Sequence, residues 1–361
     1  MSARILKAAV ASGCFVLALI LLSSIPGGDG TKQSLNVRRD NARPNTFRVD
    51  FQTMGTDATL KACLSDPSRA RQIFVSAIDR IREIESRMST YLPESELSQL
   101  NASGGRGSIP LSEDTIYVLK QAREIAEMTD GAFDPTYAPL RDLWRAATME
   151  DSLPSGEDIE ICLERIGMRD VEVGEDGARF KKDGMQVDLG GIAKGYAIDE
   201  AVEVLKVHGA VAGLVDIGGD IRVFGGGKIP EPWKIMVNDP RGGKHPPIYL
   251  LLKDGAVATS GDYARYFRIR EERYSHIIDP RNGWPAEDAS SVTVIAPRAI
   301  LADGLATAIS VMGSREGREL ADSLEGVECM AISVDSTGGD DHVEHTSGFG
   351  KYMDETCGGT P

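Results

Sequence analysis

Asp188-Leu189-Gly190-Gly191-Ile192-Ala193-Lys194-Gly195-Tyr196 closes one element of the chain and opens another. Val187 and Asp188 read as the end of a strand, the glycine pair as a tight turn, and the residues on to Val207 as a long helix. Small residues at such a turn let backbone groups approach a ligand closely, and the helix N-terminus favours phosphate. Lys194 adds a cationic donor in the first turn. Taken alone, the stretch reads first as a tight strand-to-helix connection.

Working outward, residues 47–64 alternate well enough for two strands around the turn Met54-Gly55-Thr56. Between 69 and 88, Ile73, Ala77, Ile81 and Ile84 recur at helical spacing. Ser112 is a good N-cap for a helix over 112–128, with Ile116, Leu119, Ala122 and Ile125 facing inward and Asp130-Gly131 ending it. The region 149–185 predicts a charged helix and short strands. Stretches 213–224, 233–238, 247–253, 256–260 and 291–296 predict strands, and 299–312 a last helix. Residues 336–345, rich in Gly and Asp, read as a hairpin turn or loop, and 346–353 as a final edge strand. Strands and helices mix without the regular alternation of a doubly wound sheet, which predicts an α+β fold. There is no Rossmann fingerprint, and Gly225-Gly226-Gly227-Lys228 lacks the spacing and the Ser/Thr of a P-loop.

The 361 residues are 41% apolar and 26% charged, enough for a globular body with a real core. A formal net charge of -15 argues against a nucleic-acid binder, because phosphate backbones need Lys and Arg. Arg4 and Lys7 precede an apolar run over 8–25, the pattern of an export signal. Ala11-Ser12-Gly13-Cys14 has the form of a lipobox, so a lipoprotein is one reading. The strongest apolar stretch, 15–22, follows Cys14 rather than preceding it, which favours an uncleaved signal anchor. The organisation expected is anchor or signal peptide at 1–26, linker at 27–45, body at 46–353 and tail at 354–361. With the basic flank in the cytoplasm, the body belongs on the outer, periplasmic face of the inner membrane. None of the five cysteines forms a C-x-x-C pair, which argues against zinc or a redox motif; disulfides and free thiols both stay open.

Asp303 and Thr307 are four apart and share one face of an apolar helix. A carboxylate there must be capped, paired or bound to a cation. A carboxylate, a hydroxyl and a backbone carbonyl are oxygen ligands that magnesium accepts, although Asp303 read alone could simply cap a helix. His276 ends a strand that runs into Asp279-Pro280-Arg281-Asn282-Gly283, and is a candidate general base, with Asp262 the next candidate.

In order, Met54-Gly55-Thr56, Gly131-Ala132-Phe133-Asp134-Pro135, Asp188 to Gly195, Gly218-Gly219-Asp220, Thr259-Ser260-Gly261, His276-Ile277-Ile278-Asp279-Pro280 and Ala302-Asp303 with Ala306-Thr307 resemble the ApbE family of FAD:protein FMN transferases. The likeness spans about 47–353. It departs at Gly304, where Ala is expected. The resemblance implies a single mixed α/β, T-fold-related body, with FAD as substrate and Mg2+ as cofactor. Met54, Tyr91, Ala132, Phe133, Asp134, Asp188, Lys194 and Ile278 match positions that line the FAD site. Gly191, through its carbonyl, Asp303 and Thr307 match the magnesium ligands, and His276 a His near the pyrophosphate. The implied partner is a membrane or exported redox subunit carrying Asp-x-x-Ser/Thr-Gly-Ala-Ser/Thr, a segment this chain lacks. FAD hydrolysis to FMN and AMP, and FAD binding without turnover, are the alternatives.

Overall fold

The structure, a computed structural model, describes residues 35–237, 240, 247–261, 266–286, 290–333 and 342–354. Its centre is a nine-stranded sheet whose strand order follows the order of the chain. Every neighbouring pair in it is antiparallel. The expected α+β arrangement is therefore a meander with long insertions between strands.

The first hairpin, Thr46–Thr53 and Thr56–Leu64, turns at Met54 and Gly55, with φ of 49° and 71°. Two successive positive φ values make the kind of tight turn whose twist suits a hairpin. The insertion before the next strand, Ala210–Ile217, holds the helices Ala70–Met88, Glu113–Met128, Ala138–Glu150 and Ala193–Val207. Ile73, Ala77, Ile81 and Ile84 are all buried, as their spacing predicted. Ser112 caps its helix through the Thr115 N–H.

Helices Ala193–Val207 and Ala299–Met312 pack on the sheet and on each other. A separate core gathers Leu214, Val223, Val257 and Ile332 of the sheet with Trp233, Ile235 and Leu250 of the hairpin Trp233–Val237/Ile248–Leu252. A third core joins Leu140, Trp144, Ile159 and Ile278. There the Trp144 indole N–H donates to the Gly283 carbonyl at 2.9 Å, tying the 279–283 turn to the helix Ala138–Glu150.

Several expectations are corrected. Residues 185–189 form no strand; Val187 instead exchanges both backbone hydrogen bonds with the Asn101 side-chain amide, at 2.8 and 2.9 Å. The final edge strand is His342–His345, inside the stretch read as a turn or loop, and 346–353 holds the short 3-10 helix Phe349–Tyr352. Past His345 one more backbone bond forms, from the Thr346 N–H to the Cys329 carbonyl at 2.9 Å; side chains then join in, the Thr346 hydroxyl accepting the Cys329 N–H at 3.1 Å and the Glu328 carboxylate the Gly348 N–H at 3.1 Å. A further helix, Ser314–Ser323, follows the one predicted as last. Cys63, Cys162 and Cys329 are free thiols, and burial pushes Cys329 up to about 12. The anchor, Cys14, Cys357, Asp262 and the tail from 355 lie outside the described residues.

Candidate functional site

Helix Ala193–Val207 begins where the Gly190-Gly191 turn ends, and Lys194 sits in its first turn. The Lys194 ammonium lies 2.7 Å from Asp220 Oδ2 and 3.1 Å from Asp303 Oδ1. Asp303 is buried within helix Ala299–Met312, four residues past its start, so it is not that helix's cap. The Gly195 N–H donates to Asp303 Oδ2 at 3.0 Å. One turn on, Thr307 reaches the glycine pair: a Cβ on Gly191 would fall 3.0 Å from Thr307 Oγ1 and 3.4 Å from Phe133 Cε2. Gly191 is thus a place where only bare backbone leaves the hydroxyl undisturbed.

Electrostatics single out the same corner. Two buried carboxylates share one ammonium, leaving negative charge in surplus. Burial, with the neighbouring Asp303 charge added, pushes Asp220 up to about 6 despite Lys194. Lys194 is raised because Asp220 and Asp303 outweigh the burial that opposes its charge. Among the described residues no group of three or more His, Cys, Asp or Glu could hold a metal. The fit to a hard divalent cation therefore rests on mixed oxygen donors: the Asp303 carboxylate, the Thr307 hydroxyl and the backbone at Gly191. Surplus negative charge and oxygen chemistry both suit magnesium.

The helix N-terminus offers less to a phosphate than its sequence suggested. The Gly190 N–H goes to Asp188 Oδ1, the Ile192 and Ala193 N–H groups to the Leu189 carbonyl, and that of Gly195 to Asp303. Lys194 supplies the cationic charge at this helix start, and Asp220 and Asp303 already outnumber it.

The other residues singled out by sequence divide in two. Asp188 pairs with Arg141, and its N–H donates to the Pro135 carbonyl at 2.8 Å, joining the 188–195 and 131–135 motifs. Ala132 and Phe133 are buried beside Gly191 or next to the residue that is. A Cβ on Gly131 would lie 3.8 Å from Arg281 Cγ, which brings in the 276–280 motif. The Met54-Gly55-Thr56 turn meets the Gly218-Gly219 turn, where a Gly218 Cβ would fall 2.9 Å from Thr56 Cγ2. Asp220 also accepts the Thr259 N–H at 3.3 Å. The motifs are thus linked to one another by such contacts, the 276–280 motif through Arg281, which follows it and holds Asp279.

Three residues do something different from lining a cleft with their side chains. The Asp134 carboxylate is spent on Thr136 and on the Met168 N–H, so it shapes its loop, and burial raises its pKa. The Ile278 side chain belongs to the core around Trp144. Tyr91 stands 78% exposed; its hydroxyl accepts from Arg145 at 3.2 Å and its N–H donates to Ser89 Oγ at 3.3 Å, which leaves the ring open for stacking. His276 is half-buried just beyond the strand Glu272–Ser275. Sequence reasoning missed Asp220 and Arg141 as individual site residues. Asp220 closed a quoted motif but carried no role. Arg141 rides on helix Ala138–Glu150, whose inward stripe Leu140, Trp144 and Ala147 was there to be read.

A family profile described as the ApbE family matches residues 54–331. A Vibrio cholerae protein named FAD:protein FMN transferase is 33% identical over 291 residues, 78% of this chain and 86% of its own. The crystal structure of the apbe protein from Thermotoga maritima is similar with a TM-score of 0.75 and 34% identity, over 86% of this chain and 99% of that one. The flavin transferase ApbE from Vibrio cholerae gives a TM-score of 0.73 at 28% identity, over 85% and 99%.

Proposed function

The chain belongs to the ApbE family, and on that footing we propose that it transfers FMN from FAD to a Ser or Thr hydroxyl of an acceptor protein. The observation that carries the reading is the meeting of Asp303, Thr307 and the Gly191 backbone beside the Lys194 ammonium. Asp303 and Thr307 would hold magnesium, which when bound neutralises pyrophosphate charge. Lys194, held by Asp220, offers a cation to the leaving phosphate. The acceptor oxygen bonds the FMN-side phosphorus, the bond to the AMP phosphate breaks, and His276 takes the hydroxyl proton. Tyr91 offers a ring face to the flavin or adenine.

The same reading keeps the body on the outer face of the inner membrane. Among the described residues no helix is long and apolar enough to cross a membrane, so anchoring rests on Arg4, Lys7 and the run over 8–25.

The test is incubation with FAD, magnesium and a peptide-tagged acceptor bearing Asp-x-x-Ser/Thr-Gly-Ala-Ser/Thr, followed by in-gel flavin fluorescence. A fluorescent acceptor band is expected, abolished in Asp303→Ala, which loses the one carboxylate assigned to the metal. AMP release with a dark acceptor would mean FAD hydrolysis instead, and neither signal would mean binding alone.

A further inference from the structure

Asp199 is 1% exposed on helix Ala193–Val207, and its carboxylate is spent on another helix. Oδ1 accepts the Ala299 N–H at 2.9 Å, and Oδ2 the Ile300 N–H at 3.1 Å. These groups open helix Ala299–Met312, whose own N-cap position, Arg298, makes no side-chain cap. The first N–H groups of a helix lack partners within it, and a negative charge suits that end. Arg222 at 2.8 Å and Arg298 at 3.4 Å balance the Asp199 charge.

The contacts between the two chain segments recur in one register. Asp199 meets Ala299 and Ile300, Gly195 meets Asp303, and Gly191 meets Thr307. Each step advances four residues on one segment and about four backwards on the other, so the segments run antiparallel, in contact turn by turn. At Gly195 they touch backbone to backbone: a Cβ there would fall 2.3 Å from the Ala299 carbonyl oxygen. Asp199 closes the end of this ladder opposite Gly191 and Thr307.

We propose that Asp199 is a positioning residue that sets the register of these two helices, and so the spacing of Gly191, Asp303 and Thr307 as a cation-binding set. The inference rests on the magnesium reading above. A slip at Asp199 moves Asp303 against Gly195 and Thr307 against Gly191 without touching any ligand. Partners that orient ligands from outside a metal's own shell change its affinity by about 10–100-fold.

The test uses the full chain with Asp199→Ala, Asp199→Asn and Thr346→Ala. The last removes the buried hydroxyl that accepts the Cys329 N–H, a cap remote from the helix pair in sequence, and serves as a control for lost stability. Two quantities are read: the magnesium concentration for half-maximal FMN transfer, and hydrogen exchange at the Gly195 amide without metal. Asp199→Ala should raise the magnesium requirement about 10–100-fold, with the maximal rate recovered at high magnesium. The Gly195 amide should exchange at least about tenfold faster, as its bond to Asp303 loosens. Asp199→Asn, which keeps an acceptor, should fall between, and it carries the test if the alanine variant does not fold. Thr346→Ala should change neither, even at a comparable loss of thermal stability. A wild-type magnesium requirement in both Asp199 variants overturns the proposal, as does an equal effect in Thr346→Ala. If the wild-type protein transfers FMN without magnesium, the functional reading fails, while Gly195 exchange still decides whether Asp199 sets the register.

Discussion

Gly195 and Gly304 lie on facing helices and tolerate a methyl group to very different degrees. At Gly195 the obstacle is main chain, with Ala299 O, Ala299 C and Ile300 Cα all within 2.7 Å of a built Cβ. Main chain cannot rotate away, so Gly195→Ala must push the helices apart. Overpacking of this kind costs about 1–3 kcal/mol, to be read as a lower denaturant midpoint; an unchanged midpoint would mean that the helices do not touch there. At Gly304, where Ala was expected, the obstacle is the tip of a side chain: Ile125 Cδ1 lies 2.5 Å from the Cβ position. The branched side chain of the neighbouring helix fills the space of the missing methyl. His276 poses a chemical question instead. If it is the base, His276→Ala should slow single-turnover transfer about 10²–10⁴-fold while FAD affinity stays near wild type. A variant that keeps the wild-type rate would assign the proton to another group.

Helices Ala70–Met88, Glu113–Met128 and Ala193–Val207 are joined by a polar cluster rather than by packing alone. Asp114 accepts two bonds from Arg80, at 2.6 and 2.7 Å, one from the Tyr196 hydroxyl at 2.5 Å and one from Arg87. Burial works to raise the Asp114 pKa, but the Arg80 and Tyr196 hydrogen bonds and the Arg80 and Arg87 charges outweigh it and hold the carboxyl below its usual 3.8. A lowered carboxylate stabilises the fold fully above the unfolded value, and that contribution fades as pH falls through the folded value. Asp114→Asn should therefore cost about 1.5–3 kcal/mol at pH 7, the worth of charged hydrogen bonds, because Arg80 keeps Glu83 and Glu200 and Arg87 keeps Glu83. The gap to wild type should narrow below about pH 4, as measured by urea unfolding across pH; a constant gap would count against the linkage. None of this cluster was legible in the sequence, since its members come from helices far apart in the chain. What was legible had a local cause: the 3.6-residue stripe from Ile73 to Ile84, the Ser112 cap, the turn at Met54-Gly55. Helix Ser314–Ser323 was missed because its inward side is only Gly317 and Ala321. The strand at 187 was misread because its partner is a side chain, Asn101, which no periodicity reveals. The edge strand was misplaced because its ladder stops at Thr346, where the Thr346 and Glu328 side chains take up the next N–H groups.

In the whole molecule, strand order follows chain order, yet the motifs that carry chemistry are scattered from Met54 to Thr307. They meet because long insertions return to the same corner of the sheet. Lys194 from the first insertion meets Asp220 of a sheet strand and Asp303 of a later helix. Ligation at this point should consequently act on the body as one unit rather than on a local flap. A ligand that binds only the folded state adds RT ln(1 + [L]/Kd), about 2.7 kcal/mol at a hundredfold excess over Kd. For a body of this size that is a rise of several degrees in the unfolding midpoint. Calorimetry with FAD and magnesium together should show a single transition moved upward intact, and Asp303→Ala should lose the part that depends on magnesium. Lys194→Ala offers a sharper contrast. Without metal it leaves Asp220 and Asp303 buried with no cation between them, and that costs about 3–5 kcal/mol. Magnesium should then recover more stability in Lys194→Ala than in wild type, because it meets a larger uncompensated charge. If magnesium moves both proteins equally, Lys194 and the metal do not answer to the same carboxylates.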